Sequence, residues 1–208
     1  MTDHPLRGRL NAWFLDAADE YMHRAYGDVK ARLLGGAPSV VLELGPGAGA
    51  NFRYYPRGTR VIAVEPNARM HDRLRRRAER FGLDLEIHPM GAEHLDLAAQ
   101  SVDFACATLV LCTVADPAAV VAEVRRVLRP GGRFVLIEHV RAPAGSAVAT
   151  LQRIIRRPWR WLAEGCDLCN RTPSVLEQAG FRQVAIEPLR LPTLLLPIRD
   201  QIVASCTR

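Results

Sequence analysis

At Leu44–Gly45 the pattern of the sequence breaks sharply. Val40-Val41-Leu42-Glu43-Leu44 is a short apolar run with a β-branched start, and Gly45-Pro46-Gly47-Ala48-Gly49 follows at once. A run of this length that stops on glycines reads as a strand buried on both faces, the kind found in parallel sheets. Glycines at alternate positions after it let the backbone pass close to a ligand without Cβ interference. A helix that begins beyond such a loop turns its N-terminus towards the same ligand. The loop thus predicts an α/β sheet with a ligand cradle at the carboxyl end of an early strand.

The rest of the chain keeps up the alternation. Strand-like runs occupy 60–64, 85–88, 102–107 and 133–139, with later ones at 184–189 and 201–206. Helical periodicity covers 11–34, where Trp13, Phe14, Ala17, Tyr21, Ala25, Val29 and Leu33 recur on one side, and then 68–81, 117–128, 147–162 and 172–179. Pro130-Gly131-Gly132 is expected to turn the chain into the strand at 133–139. The pattern predicts a doubly wound, mostly parallel, Rossmann-like α/β sheet of about seven strands with helices on both faces. A single domain is expected over 1–208: a helical lid at 1–36 carrying Tyr21, His23 and Tyr26, a cofactor-binding core at 37–140, and an acceptor cap with closing strands at 141–208.

Composition matters mainly for what it excludes. The chain has 208 residues, 49% hydrophobic and 24% charged, the balance of a globular domain. It lacks an apolar run of the ~20 residues that span a bilayer, and Met1–Leu10 does not resemble a secretory signal. A cytoplasmic protein without stable membrane insertion is expected. Five cysteines are too few and odd in number for a disulfide scaffold. The lone C-x-x-C at Cys166 and Cys169 lacks the further ligands of a zinc or redox motif. The net charge of +6 is carried mainly by arginine, with clusters at Arg73–Arg80 and Arg153–Arg160 that read as solvated helical faces. Neither makes the aromatic-interleaved sheet pattern of common RNA-binding modules, so nucleic acid is not an expected partner. Oligomeric state is not legible.

The loop's spacing narrows the ligand. Dinucleotide sites need G-x-G-x-x-G around a pyrophosphate, whereas here the third glycine comes one residue early. Glu43, two residues before the first glycine, would repel a pyrophosphate but suits the aminopropyl cation of S-adenosylmethionine, directly or through water. Glu65, twenty residues after Gly45, stands where an acid can accept both ribose hydroxyls of an adenosine.

VLELGPGAG, VIAVEPN, GAEHL, SVDFACATLVLCTVAD and LRPGGRFVLIEH together resemble the class I S-adenosylmethionine-dependent methyltransferases. The resemblance implies S-adenosylmethionine as cofactor, held by Glu43, Gly45, Pro46, Gly47, Asn51, Glu65, Pro66 and Asn67. It places Ala92 and Glu93 beside the adenine, and Thr108 and Leu109 beside the sulfonium end. A narrower set, CATLVLCTV, EVRRVLRPGGRFVLIEHV and Trp161-x-x-x-Gly165-Cys166-x-Leu168, is similar to the small thiol S-methyltransferases, animal alkyl-thiol and microbial dithiol types. A small thiol is therefore the leading acceptor, with phospholipid N-methylation or quinone C-methylation as the alternative. The N-terminal hydrophobic anchor of the animal enzymes is not matched at Met1–Leu10, so their membrane residence is not expected to carry over.

A thiol acceptor must lose its proton, because the thiolate is the nucleophile. His139, at the carboxyl end of the fifth strand, is the candidate base. The other reading of His139 is a loop-bonding residue that shapes the pocket. Glu138 is expected on the opposite face, Cys166 as a small buried hydrophobe, and Trp159 and Trp161 in the acceptor cap. No metal is expected, since the carboxylate cluster of a magnesium site is missing after the fourth strand.

Overall fold

The computed structural model describes residues 19–193 and 195–208, with side chains from His23 onward. The expected helix over 11–34 is therefore seen only as α1, Asp19–Leu34; residues 11–18 and the side chain of Tyr21 lie outside the described residues. Then come β1 (Val40–Leu44), β2 (Arg60–Val64), α2 (Ala68–Phe81), β3 (Asp84–His88), β4 (Val102–Thr108) and α3 (Pro117–Val127). The chain continues with β5 (Leu128–His139), α4 (Ala147–Leu162), α5 (Thr172–Gln178), β6 (Gln183–Arg190) and β7 (Asp200–Thr207).

The strands form one seven-stranded sheet in the order β3-β2-β1-β4-β5-β7-β6. β1 to β5 pair in parallel, and β7 inserts antiparallel to both β5 and β6. From β1 the chain first winds outward through β2 and β3, then returns to β1's other side as β4. That reversal opens a crevice at the carboxyl ends of β1 and β4, where open α/β sheets bind ligands.

Alternation along the strands sets the layers. Leu42, Leu44, Ile62 and Val64 pack on one face with Val120, Val124 and Leu176 of α3 and α5. Val41, Val61 and Ala63 pack on the other with Met70, Leu74 and Ala78, the i, i+4, i+8 stripe of α2. Asn67 caps α2 by accepting from the Arg69 N–H, and Asp116 caps α3 by accepting from the N–H groups of Ala118 and Ala119. The turn expected at Pro130–Gly132 is taken up inside β5. Pairing with β4 slips between Val102 and Phe104, and Gly131 donates to the Arg208 carbonyl at 3.0 Å, so a bulge does the work of a turn. Among the described residues, no helix is long and apolar enough to cross a membrane.

Candidate functional site

A cavity of about 390 Å³ occupies the crevice. Its first wall is the loop after β1. Gly45 and Gly47 take positive φ angles, +54° and +57°, that L-residues rarely adopt. A Cβ at Gly45 would sit 2.8 Å from Val110 Cγ2, so the loop can lie against the β4 loop only as glycine. Pro46 and Asn51 complete this wall.

The second wall follows β2. Glu65 is 5% exposed, and it braces the loop: Oε2 accepts from the Gly47 N–H at 3.0 Å and Oε1 from the Asn67 N–H at 2.8 Å. Burial raises its carboxyl pKa, against the pull of those two N–H groups. Each oxygen keeps a lone pair for a ligand hydroxyl. Pro66 and Asn67 line the cavity beside it. Ala92 and Glu93 form a third side, where Glu93 Oε1 accepts from the Ala115 N–H at 3.1 Å.

Thr108 and Leu109 close the end of β4. Leu109 is a non-glycine residue at φ +59°, held there by donating its N–H to the Ile137 carbonyl at 2.8 Å. Such strain at a cavity wall is characteristic of functional sites.

Glu43 is the exception among the expected cofactor residues. It lies behind the wall, 1% exposed, and does not line the cavity. Its Oε1 accepts from Asn51 Nδ2 at 2.9 Å and its Oε2 from the Tyr55 hydroxyl at 2.7 Å. Strand alternation explains the withdrawal, since Glu43 shares a face with Val41 and so faces the α2 layer. Burial pushes its carboxyl up to about 7, with the Tyr55 and Asn51 hydrogen bonds and the charge of Lys30 opposing. It reaches the cavity through Asn51, whose Nδ2 also donates to Thr108 Oγ1 at 3.1 Å. Two acceptors fix the amide's orientation, and Asn51 Oδ1 is then a buried acceptor without a hydrogen-bond partner. An orphaned acceptor in a cavity wall calls for a donor from the ligand, as the ammonium of S-adenosylmethionine is. The residues present fit that cofactor.

Lys30 was not singled out from the sequence. It is 3% exposed on α1, its Nζ stands 5.7 Å from the Tyr26 ring centroid, and it lines the cavity. The signal was available: Tyr26, Lys30 and Leu34 fall at i, i+4, i+8, placing a lysine on a buried stripe. Tyr26 is core, packed with Ile137, Leu191 and Val203, and its hydroxyl donates to Gln201 Oε1 at 3.0 Å.

Thr113 and Val114 after β4 and Ala163 and Glu164 after α4 also line the cavity. His139 is buried and is not among the lining residues. Its Nδ1 faces Cys166 Sγ at 3.6 Å and Cys112 Sγ at 3.9 Å, while its Nε2 is buried without a partner. The Cys112 thiol beside Cys166, with the His139 ring, holds the Cys166 thiol well below the ordinary range. Glu138 is buried next to His139, accepts its backbone N–H at 3.0 Å, and is pushed up to about 7 by burial. Cys166 thus pairs with Cys112 and His139, not with Cys169, which lies outside this cluster. A cysteine just past β4 and a histidine at the end of the adjacent parallel strand β5 were a visible hint; the approach of Cys166 was not. Trp161 lies on the surface, 71% exposed, rather than in a pocket.

In sequence and in fold the chain is similar to known proteins. Residues 42–136 match the family described as "Methyltransferase domain". The thiol S-methyltransferase TMT1B of Rattus norvegicus is 38% identical over 172 residues, covering 81% of this chain and 70% of that protein. The human thiol S-methyltransferase TMT1A is 36% identical over 165 residues, covering 78% and 68%. A crystal structure of a SAM-dependent methyltransferase from Thermotoga maritima superposes with a TM-score of 0.66 at 19% identity, covering 97% and 99% of the two chains.

Proposed function

Because the chain belongs to the S-adenosylmethionine-dependent methyltransferases, in the family of the thiol S-methyltransferases, we propose that it transfers a methyl group to the sulfur of a small-molecule thiol. One observation supports the choice of acceptor: the cavity is lined in part by Thr113 and Glu164, from the two turns that hold Cys112 and Cys166 against His139. Both turns fall within the chain's narrower sequence motif, at CATLVLCTV and Trp161–Leu168.

S-adenosylmethionine supplies the methyl group on a sulfonium, an activated leaving group, and the protein supplies binding and alignment. Lys30 offers a cation for the cofactor's carboxylate, and Asn51 Oδ1 an acceptor for its ammonium. Glu65 takes the ribose hydroxyls with lone pairs left after bracing Gly47 and Asn67. Ala92 and Glu93 flank the adenine. Thr108 and Leu109 stand at the reacting end, where Leu109's strained backbone turns the β4 loop towards the acceptor. His139 acts through the two cysteines it faces rather than on the acceptor directly.

Purified protein given labelled S-adenosylmethionine and a panel of thiols, phenols, amines and quinones is expected to methylate thiols. Turnover of another class with inert thiols would overturn the reading. A second reading, methylation of a lipid-borne acceptor, is favoured by α4, which exposes Ile154 at 72% and Trp161 beside Arg153, Arg157 and Arg160. Co-sedimentation with anionic liposomes that depends on Trp161 would support it.

A further inference from the structure

The cofactor assignment leaves one cluster unused. Cys112, His139 and Cys166 come from three elements, each 27 residues from the next in sequence, and all three are buried. Their ligand atoms, two Sγ and His139 Nδ1, lie within 4.8 Å of one another. A tetrahedral zinc ion with bonds of about 2.3 Å to sulfur and about 2.0–2.1 Å to nitrogen separates a sulfur from a nitrogen by about 3.6 Å. The observed sulfur–nitrogen distances are 3.6 and 3.9 Å. The three side chains already stand near three corners of such a tetrahedron.

The backbone around the cluster is tied down. The Asp167 N–H donates to the Cys112 carbonyl at 2.7 Å, joining the two cysteine turns. Asn170 Nδ2 donates to the His139 carbonyl at 2.6 Å. Gly165 has φ +97°, and a Cβ there would stand 3.0 Å from the Thr113 carbonyl oxygen, so only glycine lets Cys166 approach Cys112 this closely.

We propose that Cys112, His139 and Cys166 bind a zinc ion through two thiolates and Nδ1, leaving the fourth position to the sulfur of the acceptor thiol. Soft thiolate and imidazole ligands select zinc over magnesium or calcium. Two thiolates neutralise the dication, and three protein ligands with an open fourth position are the pattern of catalytic rather than structural zinc. A thiol entering that position forms a sulfur–zinc bond as its S–H bond breaks, and the proton leaves to solvent. The acceptor is then held as a thiolate at neutral pH, where a free thiol of pKa near 8.5 is mostly protonated. The cluster itself is buried, but Thr113, which adjoins Cys112, and Glu164, two residues from Cys166, both line the cavity, and the fourth ligand of the proposed site enters from this side. The identity of the fourth ligand rests on the thiol reading; the three-ligand site does not.

The test measures metal in the untagged full chain, purified without chelator, by mass spectrometry, and follows the cobalt-substituted protein by absorption while benzyl mercaptan is added. About one zinc per chain is expected, retained in Cys169→Ser and lost in Cys112→Ala and Cys166→Ala. Should those variants misfold, chelator-treated wild-type protein must take up one zinc per chain again. The cobalt charge-transfer bands are expected to grow when the mercaptan binds. A chain that neither carries nor takes up zinc overturns the site, as does zinc retained in both variants. Zinc present with a cobalt spectrum blind to the mercaptan overturns the open position. Zinc-free protein that still methylates thiols at full rate removes the metal but leaves the thiol reading standing. A bound, mercaptan-responsive metal in a chain that methylates only another acceptor class keeps the site and removes that reading.

Discussion

Asn51 Nδ2 donates to Glu43 Oε1 at 2.9 Å and to Thr108 Oγ1 at 3.1 Å, so a single amide links the strand behind the cofactor cavity to the strand end in front of it. Glu43 is the buried partner in this link, faced by Tyr55, Asn51, Lys30 and Glu65, and its carboxyl is raised to about 7 mainly by burial. A carboxyl raised on folding binds more protons in the folded state between its unfolded and folded pKa values. Its stabilising effect is therefore complete below about pH 4.5 and is lost as pH rises through 7. Glu43→Gln should flatten this part of the profile, by an order of about 3 kcal/mol between pH 4.5 and 8. Urea unfolding of both proteins across that range measures it; parallel profiles would count against the assignment.

Lys30 brings a positive charge to the cavity wall, and the carboxylate of S-adenosylmethionine is the cofactor group it is expected to meet. Charge-assisted hydrogen bonds contribute about 1.5–3 kcal/mol. Lys30→Met should therefore weaken cofactor binding roughly ten- to hundredfold, with Lys30→Arg recovering part of it. Titration calorimetry reads the effect, and an unchanged affinity in the methionine variant would separate Lys30 from the cofactor.

Gly45→Ala meets two separate obstacles, the positive φ and the 2.8 Å approach to Val110 Cγ2. The first costs about 1–2 kcal/mol, and the clash adds to it. Adding Val110→Ala relieves the clash but not the φ cost. Relative to Val110→Ala alone, Gly45→Ala should thus destabilise less than it does in the wild-type chain, a non-additivity that thermal melts of the four proteins can resolve.

Tyr26 and Gln201, 175 residues apart, exchange hydrogen bonds within the core at 3.0 and 2.7 Å. Tyr26→Phe leaves Gln201 Oε1 buried and unsatisfied at a cost of about 1–3 kcal/mol. For a chain of this size the melting temperature should fall by roughly 2–10 °C. A fall this large with cofactor affinity unchanged would mark Tyr26 as an anchor of α1.

Much of the cavity wall was legible because it is local. Gly45, Pro46 and Gly47 follow a strand directly, and Glu65 directly follows the strand that pairs next to it, so sequence spacing translates into position through strand geometry alone. Ala92, Glu93, Thr108 and Leu109 were reached by resemblance, and the chain brings them to the same cavity. The β5 boundary was misplaced because a bulge absorbed Pro130–Gly132 into the strand, a choice made by pairing with β4 and the C-terminal Arg208.

By itself, the sequence determined the order of strands and helices, the glycine cradle and the acid that braces it, because each depends on residues close along the chain. The tertiary structure alone decided that Glu43 faces away from the cavity, that Lys30 enters it from α1, and that two cysteines meet His139. Those outcomes depend on which face of a strand or helix is buried and on how a turn after α4 docks against a turn after β4. Contacts between segments so far apart in the chain leave no spacing to read.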